Sequence, residues 1–575
     1  MNVKNKSIFR VDLRARFLLI AIGSFALSAF AQGVPSAVPP QDLLRQEQDR
    51  LRLEQQRTQP AVRPSGVDLK EVLPEVVALP ESPCKDIQTV TIAGAELMSD
   101  QERSSLAGGY VGKCLGSVEI QQLMGDITLF YVTRGFVTTR AYLPAQDLRT
   151  GQLQVLVQEG RIERIDMSGE DSDRVHWGMA FPGKSGDLLN IRDLEQAIDQ
   201  LNSARGNAVT MQLLPGSKPG LTVVELTNRA TTPVELNLST DNMGSESTGR
   251  HNASTTLTTG GLLGLNESVS LTWITAVPRK RSAFSESLGA QLSIPYGYNT
   301  FGLRFSQSQF SIGADIPYRE TPFYITGKSE STEVTFDRLF YRDQSSKHAV
   351  TASFADGDSL SYVDGELVKV ASQKSKTLSL GVQSSMVVGG GLLTAAPRLV
   401  IGQRNHYALP EELLYAAPDA NYQKLALTLN YGKGLKWAGE NTSWNTFLQG
   451  QYAEKSLYSS ERISIGGLGS VRGFTDTTLA GDSGFYWRNE LALRQGADVM
   501  GRAVQWKWYA GYDIGHVTSH DEEEPDGTMT GWVLGLNTQV GPTSLDLSWT
   551  RAHLRPTGMP IDPNGQFWFR LSAQF

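Results

Sequence analysis

The chain is 575 residues long, 20% charged and 40% hydrophobic, with 53 basic against 60 acidic side chains and a formal net charge of −7. That length exceeds one ordinary domain, and the acidic balance argues against nucleic acid as a partner. Two cysteines, Cys84 and Cys114, are too few to build a thiolate metal site.

At the start, Lys4, Lys6, Arg10, Arg14 and Arg16 precede an apolar run from Phe17 to Phe30, and Ala29-Phe30-Ala31 presents small residues where signal peptidase cuts. Residues 1–31 therefore read as a signal peptide. The alternative of a retained anchor is weaker, because the run is shorter than the ~20 residues a spanning helix needs. No later stretch is long and apolar enough to cross a membrane as a helix, so the exported chain is either soluble or a β-barrel. In an oxidising compartment Cys84 and Cys114 read as one structural disulfide.

Residues 32–57 contain QDLLRQEQDRLRLEQQR (41–57), strong helix formers charged nearly all round. Such a segment is either a solvated tail or a helix in a polar, water-filled cavity. Residues 58–83 carry Pro60, Pro64, Pro74, Pro80 and Pro83 and form an extended linker.

Residues 84–159 have the pattern of a small α/β module. It comprises a strand with Ile87, Val90 and Ile92, a helix capped by Ser117 with Ile120, Leu123, Met124, Ile127 and Tyr131 inward, and strands near 137–143 and 153–157. Residues 160–231 repeat the plan, with Asn190 capping a helix of Ile191, Leu194, Ile198 and Leu201 and strands near 209–214 and 221–226. The helix stops Arg134-Gly135 and Arg205-Gly206 recur at the spacing of a duplicated module.

From 232 to 575 the pattern becomes alternation with period 2: Phe301/Leu303/Phe305, Leu425/Leu427/Leu429/Tyr431, Trp506/Trp508/Ala510/Tyr512 and, at the end, Phe567/Phe569/Leu571/Ala573/Phe575. Polar residues interleave each set, which predicts an outer-membrane barrel. With both barrel ends periplasmic, counting back from Phe575 makes 543–550 ascend, 530–538 descend, 505–513 ascend and 485–493 descend. The connection 453–484, glycine-rich and without alternation, then lies outside the cell. It carries Val471-Arg472-Gly473-Phe474, while strand parity turns Lys507, Tyr509, Gly511 and Asp513 into the lumen. Arg472 either folds back to Asp513 or sits in solvent on an exposed loop.

Two motifs are decoys. Gly481-Asp482-Ser483-Gly484 imitates a serine-nucleophile motif with no matching triad. The run Asp521-Glu522-Glu523-Glu524 with Asp526-Gly527 lacks the spacing of a calcium loop. No catalytic residues, metal or cofactor are expected, and the chain does not read as an enzyme.

The loop GGLGSVRGF, the strand GYDIGHV (511–517), the entrance STDNMGSESTGRHNAS (239–254), the tandem modules, the polar helix with its proline-rich linker and the terminal phenylalanine together resemble the outer-membrane transporters of two-partner secretion, such as those for filamentous haemagglutinin and haemolysins. The resemblance covers the whole mature chain. It implies a mainly β fold, with a sixteen-stranded antiparallel barrel, two periplasmic POTRA (polypeptide-transport-associated) modules and a plug helix in the pore. It further implies secretion of a large partner exoprotein (an adhesin, cytolysin or contact-dependent toxin) without nucleotide hydrolysis, pairing of Arg472 with Asp513, and Phe575 as a signal to the barrel-assembly machinery. The barrel itself would contact outer-membrane lipid. An outer-membrane insertion factor of the same superfamily is the alternative. Insertion factors typically carry more modules and no plug helix. A passive porin would lack the modules altogether.

Overall fold

The computed structural model describes residues 48, 50–52, 83–314, 323–406, 421–437, 440–474, 477–520, 525–557, 559 and 565–575. The expected signal peptide, the linker up to residue 82 and most of 41–57 lie outside the described residues.

The first module is a three-stranded sheet with Gln152–Gln158 between Thr89–Ala93 and Arg140–Tyr142. Ile92, Leu123, Ile127, Tyr131, Leu153 and Val155 form its core against the helix Ser117–Thr133. Gly116, not Ser117, is the cap: Glu119 Oε2 accepts from the Gly116 N–H at 2.7 Å, which leaves Ser117 as the first helical residue. A second helix, Asp100–Gly108, was not anticipated because its residues show no apolar period. What nucleates it is a capping box, with Ser99 Oγ accepting from the Glu102 N–H at 3.3 Å and Glu102 Oε2 accepting from the Ser99 N–H at 2.9 Å. The strand expected at 137–143 is shorter, because Val137 leaves the first module and packs in the core of the second.

Cys84 and Cys114 are joined, with Cα atoms 5.2 Å apart and a sequence separation of 30. Closing a loop of that size stabilises a fold by about 3–4 kcal/mol, mainly by restricting the unfolded chain. Cys84→Ser with Cys114→Ser is therefore expected to lower the urea midpoint of the periplasmic portion in the full-length protein. An unchanged midpoint would show that the bridge does not stabilise the module.

The second module sets Leu221–Asn228 between Arg161–Gly169 and Val209–Pro215. Asn190 Oδ1 caps the helix Ile191–Leu201 by accepting from the Arg192 N–H at 2.9 Å. The opening strand Arg161–Gly169 escaped the sequence reading because its only fully buried apolar side chain is Ile162. The turn glycines after the two main helices, Gly135 and Gly206, both take left-handed φ values, 94° and 96°, so the duplicated stop is a shared backbone device.

The remaining chain forms a closed antiparallel barrel of sixteen long strands, from Val234–Asp241 to Gln566–Gln574. Trp273, Phe301, Val334, Leu425, Trp532 and Phe567 stand exposed on its outer face, while Ser254, Thr256, Thr272, Ser287, Ser308 and Ser329 are buried polar residues. Strands are longer than expected; the one read as 505–513 runs Arg502–Thr518. The closing pair is short, running from Arg570↔Asp241 to Gln574↔Asn237. Phe575 extends it by exchanging backbone hydrogen bonds with Leu236, at 2.9 and 3.0 Å.

The helix Ile191–Leu201 docks on the turns at one end of the barrel. Gln200 Nε2 donates to the Gly297 and Asn299 carbonyls at 3.0 and 3.2 Å. The Arg342 guanidinium, 2% exposed, meets Glu195 at 3.2 Å and Asp199 at 2.6 Å, and Lys347 also pairs with Asp199. Both sides of this junction carry charges whose partners lie across it, which fixes the second module to the barrel.

Candidate functional site in the barrel lumen

Between the strands Glu440–Ala453 and Ser483–Val499 the chain makes a long loop. Contrary to the sequence reading, it has structure of its own: the strands Ile463–Ile465 and Leu479–Gly481 pair as a small antiparallel sheet. Ile463, Ile465, Val471, Phe474 and Leu479 pack against Tyr486, Val517 and Met529 of the barrel wall, so the loop has a buried apolar face. Its base is tied by Asp482, whose carboxylate is fully buried and accepts from the Leu457 N–H at 2.7 Å, the His520 N–H at 2.9 Å and Arg462 Nε at 3.2 Å. Among the described residues Ser483 Oγ bonds to the Ala453 backbone alone, accepting at 3.0 Å and donating at 3.2 Å. The protease-like motif is thus a loop anchor.

At the loop's tip Arg472, 6% exposed, reaches Asp513, which is fully buried. Nε donates to Oδ2 at 2.6 Å, Nη2 to Oδ1 at 2.8 Å and the Arg472 backbone N–H to Oδ2 at 3.1 Å. The bidentate geometry is the one a planar guanidinium makes with a carboxylate. Arg472 Nη1 also donates to Glu490 Oε2 at 3.2 Å, and Glu490 Oε1 accepts from Lys507 at 2.8 Å.

Glycines make room for this contact. An added Cβ at Gly511 would stand 2.7 Å from Arg472 Nη2, and one at Gly515 would stand 2.9 Å from Ile465 and Val471. Gly531, directly across from Asp513, leaves space for the Arg472 carbonyl, which a Cβ would approach to 1.8 Å. Gly473 takes φ 109° and runs against the Arg551 backbone, where no side chain fits. Phe474, 3% exposed, closes the apolar face beside it.

The structure therefore brings Val471, Arg472, Gly473, Phe474 and Asp513 together, and places Phe575 at the barrel seam and Cys84–Cys114 in the first module. Glu490 and Asp482 were missed. Glu490 was within reach of the parity argument, since it lies on the luminal side of the strand read as 485–493. Of the acidic run, 521–524 lie outside the described residues, and Asp526 accepts from the Ser519 N–H at 2.6 Å. Among the described residues no group of His, Cys, Asp and Glu is arranged to hold a metal ion.

Residues 220–538 match the family of haemolysin secretion/activation proteins ShlB/FhaC/HecB, residues 86–160 match the ShlB-type POTRA domain, and 161–215 match a POTRA domain. The chain belongs to this family. It is 32% identical over 463 residues to the outer membrane transporter CdiB of Dickeya dadantii, covering 79% of this chain and 80% of that one. The haemolysin transporter protein HpmB of Proteus mirabilis is 28% identical over 82% of each chain. The solved structure of CdiB from Escherichia coli superposes with a TM-score of 0.83 at 26% identity, over 95% of this chain and all of that one. These relatives are named transporters. The barrel is accordingly an outer-membrane barrel with its POTRA modules in the periplasm. The end docked on Ile191–Leu201 is then periplasmic, and the loop bearing Arg472 enters the lumen from the extracellular end.

Proposed function

We propose that this transporter recognises one large exoprotein and secretes it through its own barrel without nucleotide hydrolysis. The observation that carries this reading is the extracellular loop folded into the lumen and held there by Arg472 on Asp513. A passive pore has no use for an arginine latch that ion pairs to Asp513 and Glu490 and a small apolar face keep seated. The exoprotein, of the adhesin, cytolysin or contact-dependent toxin class, is captured unfolded in the periplasm. Module edge strands such as Val209–Pro215 can pair with an extended chain through backbone hydrogen bonds without demanding one sequence. Phe575, exposed at the end of the closing strand, serves as the signal read by the barrel-assembly machinery during insertion.

The test uses the full-length protein in proteoliposomes containing no nucleotide. The unfolded N-terminal region of the exoprotein is expected to bind and to cross, and removal of residues 84–231 to abolish binding. Binding retained by the bare barrel would overturn recognition by the modules; transport that requires added nucleotide would overturn the energetics.

A further inference from the structure

Beside the latch the barrel wall holds a cation that Arg472 leaves without a carboxylate. Arg488 projects into the lumen from the strand Ser483–Val499, and its register partner on the neighbouring strand is Asp513 itself. Directly opposed residues on one face of an antiparallel pair have Cβ atoms ~4.5–5.5 Å apart, so the Arg488 guanidinium can reach the Asp513 carboxylate. That carboxylate is taken up by Arg472, and Arg488 Nη1 instead donates to the Gly469 carbonyl of the loop at 3.1 Å. Among the described residues no carboxylate is bonded to Arg488. The neighbouring acid is arranged the same way, with Glu490 shared between Arg472 of the loop and Lys507 of the wall. Immediately around the latch the wall contributes two anions that meet Arg472, Asp513 and Glu490, and two cations beside them, Arg488 and Lys507. The loop arginine is the third cation.

We propose that Arg488 is the exchange partner of Asp513, a positioning residue that takes over the carboxylate when the loop withdraws Arg472. The proposal rests on the reading that the loop leaves its seat during secretion. Withdrawing one member of a buried ion pair is costly mainly because the other charge is stranded. With Arg488 opposite, Asp513 passes from one guanidinium to another, and the cluster of Asp513, Glu490, Arg488 and Lys507 left behind is neutral. Removing Arg488 has two opposed effects. Losing the bond to Gly469 loosens the loop. Losing the replacement cation strands Asp513 on opening, and it also relieves the crowding of two guanidinium groups in the closed state. Buried charge terms outweigh one hydrogen bond to a neutral carbonyl, so the latch without Arg488 should hold more tightly.

Both native cysteines are paired, so Ser470→Cys introduces the single free thiol of the full-length chain, at a loop position 6% exposed with the latch closed. Its labelling by a membrane-impermeant maleimide in proteoliposomes reads the open population. Adding Arg488→Met is expected to slow labelling about tenfold, whereas Arg488→Lys, which keeps the charge, should label close to the parent rate, and Arg472→Ala should label faster. Labelling of Arg488→Met at or above the parent rate overturns the exchange. If Arg472→Ala fails to accelerate labelling, the loop does not leave by breaking this pair, and the exchange falls with that reading. Should Arg488→Met not insert, as judged by heat-modifiable mobility, Arg488→Gln carries the same expectation.

Discussion

Arg472→Ala is expected to leave the barrel inserted and to reduce secretion of the exoprotein by an order of magnitude or more. The barrel's own stability resides in its strand pairing, which the loop does not enter, so abundance and heat-modifiable mobility should stay at parent values. The loop is different. Arg472 supplies three hydrogen bonds to one buried carboxylate, from Nε, Nη2 and its backbone N–H. Truncating one partner of a buried hydrogen-bonded ion pair costs about 3–5 kcal/mol, which here falls on the seating of the loop and displaces Val471 and Phe474 from the wall with it. Asp513→Ala removes the same contact from the other side and should show the same defect. Because the two residues act through one interaction, the double variant should secrete about as well as either single one. Losses that multiply would show that they act separately. Arg472→Lys should restore secretion only in part, since an ammonium keeps the charge but cannot make the parallel pair of bonds.

Much of this architecture is legible from period and parity. A strand facing lipid on one side and water on the other must alternate, so Trp506 and Trp508 assign Lys507, Tyr509 and Asp513 to the lumen before any pairing is known. The turn glycines Gly135 and Gly206 expose the duplication because only a left-handed residue closes those helices. Other features are written in contacts that no local pattern records. Asp482 anchors a loop by binding Leu457 and His520, 25 positions before it and 38 after. The helix Asp100–Gly108 hides because its apolar stripe is too weak to show, although Ser99 and Glu102 carry the capping signature. The partnership of Arg472 with Asp513 lies between these cases. Parity places the carboxylate on the luminal side, but the residues alone do not say that a loop 41 positions away turns inward to meet it; that expectation came from the family resemblance. Strand lengths were underestimated because pairing runs on past the alternating core of the strand, as at Arg502–Thr518.

Deleting residues 41–57 should raise ion conductance across planar bilayers several-fold while leaving some secretion. A sixteen-stranded barrel is wide enough to leave an aqueous channel unless something fills it. Residues 41–57 as a helix would be ~26 Å long and ~10–12 Å across, close to the ~25 Å height of the apolar band. The described part of that segment is helical, and Leu51 is 3% exposed. Gln48 Nε2 donates to Ser329 Oγ at 3.1 Å and Arg50 Nη1 to Asn252 Oδ1 at 3.1 Å. Both wall residues are buried and lie on strands well separated around the ring, Phe323–Arg342 and Asn252–Gly260. A segment gripping two such strands obstructs the space between them. The grip is nonetheless polar. Hydrogen bonds that can be exchanged for water contribute about 0.5–1.5 kcal/mol each, which suits a plug that must leave when cargo arrives and return when it has passed. Arg50→Ala combined with Gln48→Ala should therefore increase the frequency of open events without changing the conductance of the open state, whereas the deletion should hold the channel open. Conductance of the deletion variant equal to that of the intact protein would show that the segment does not close the pore.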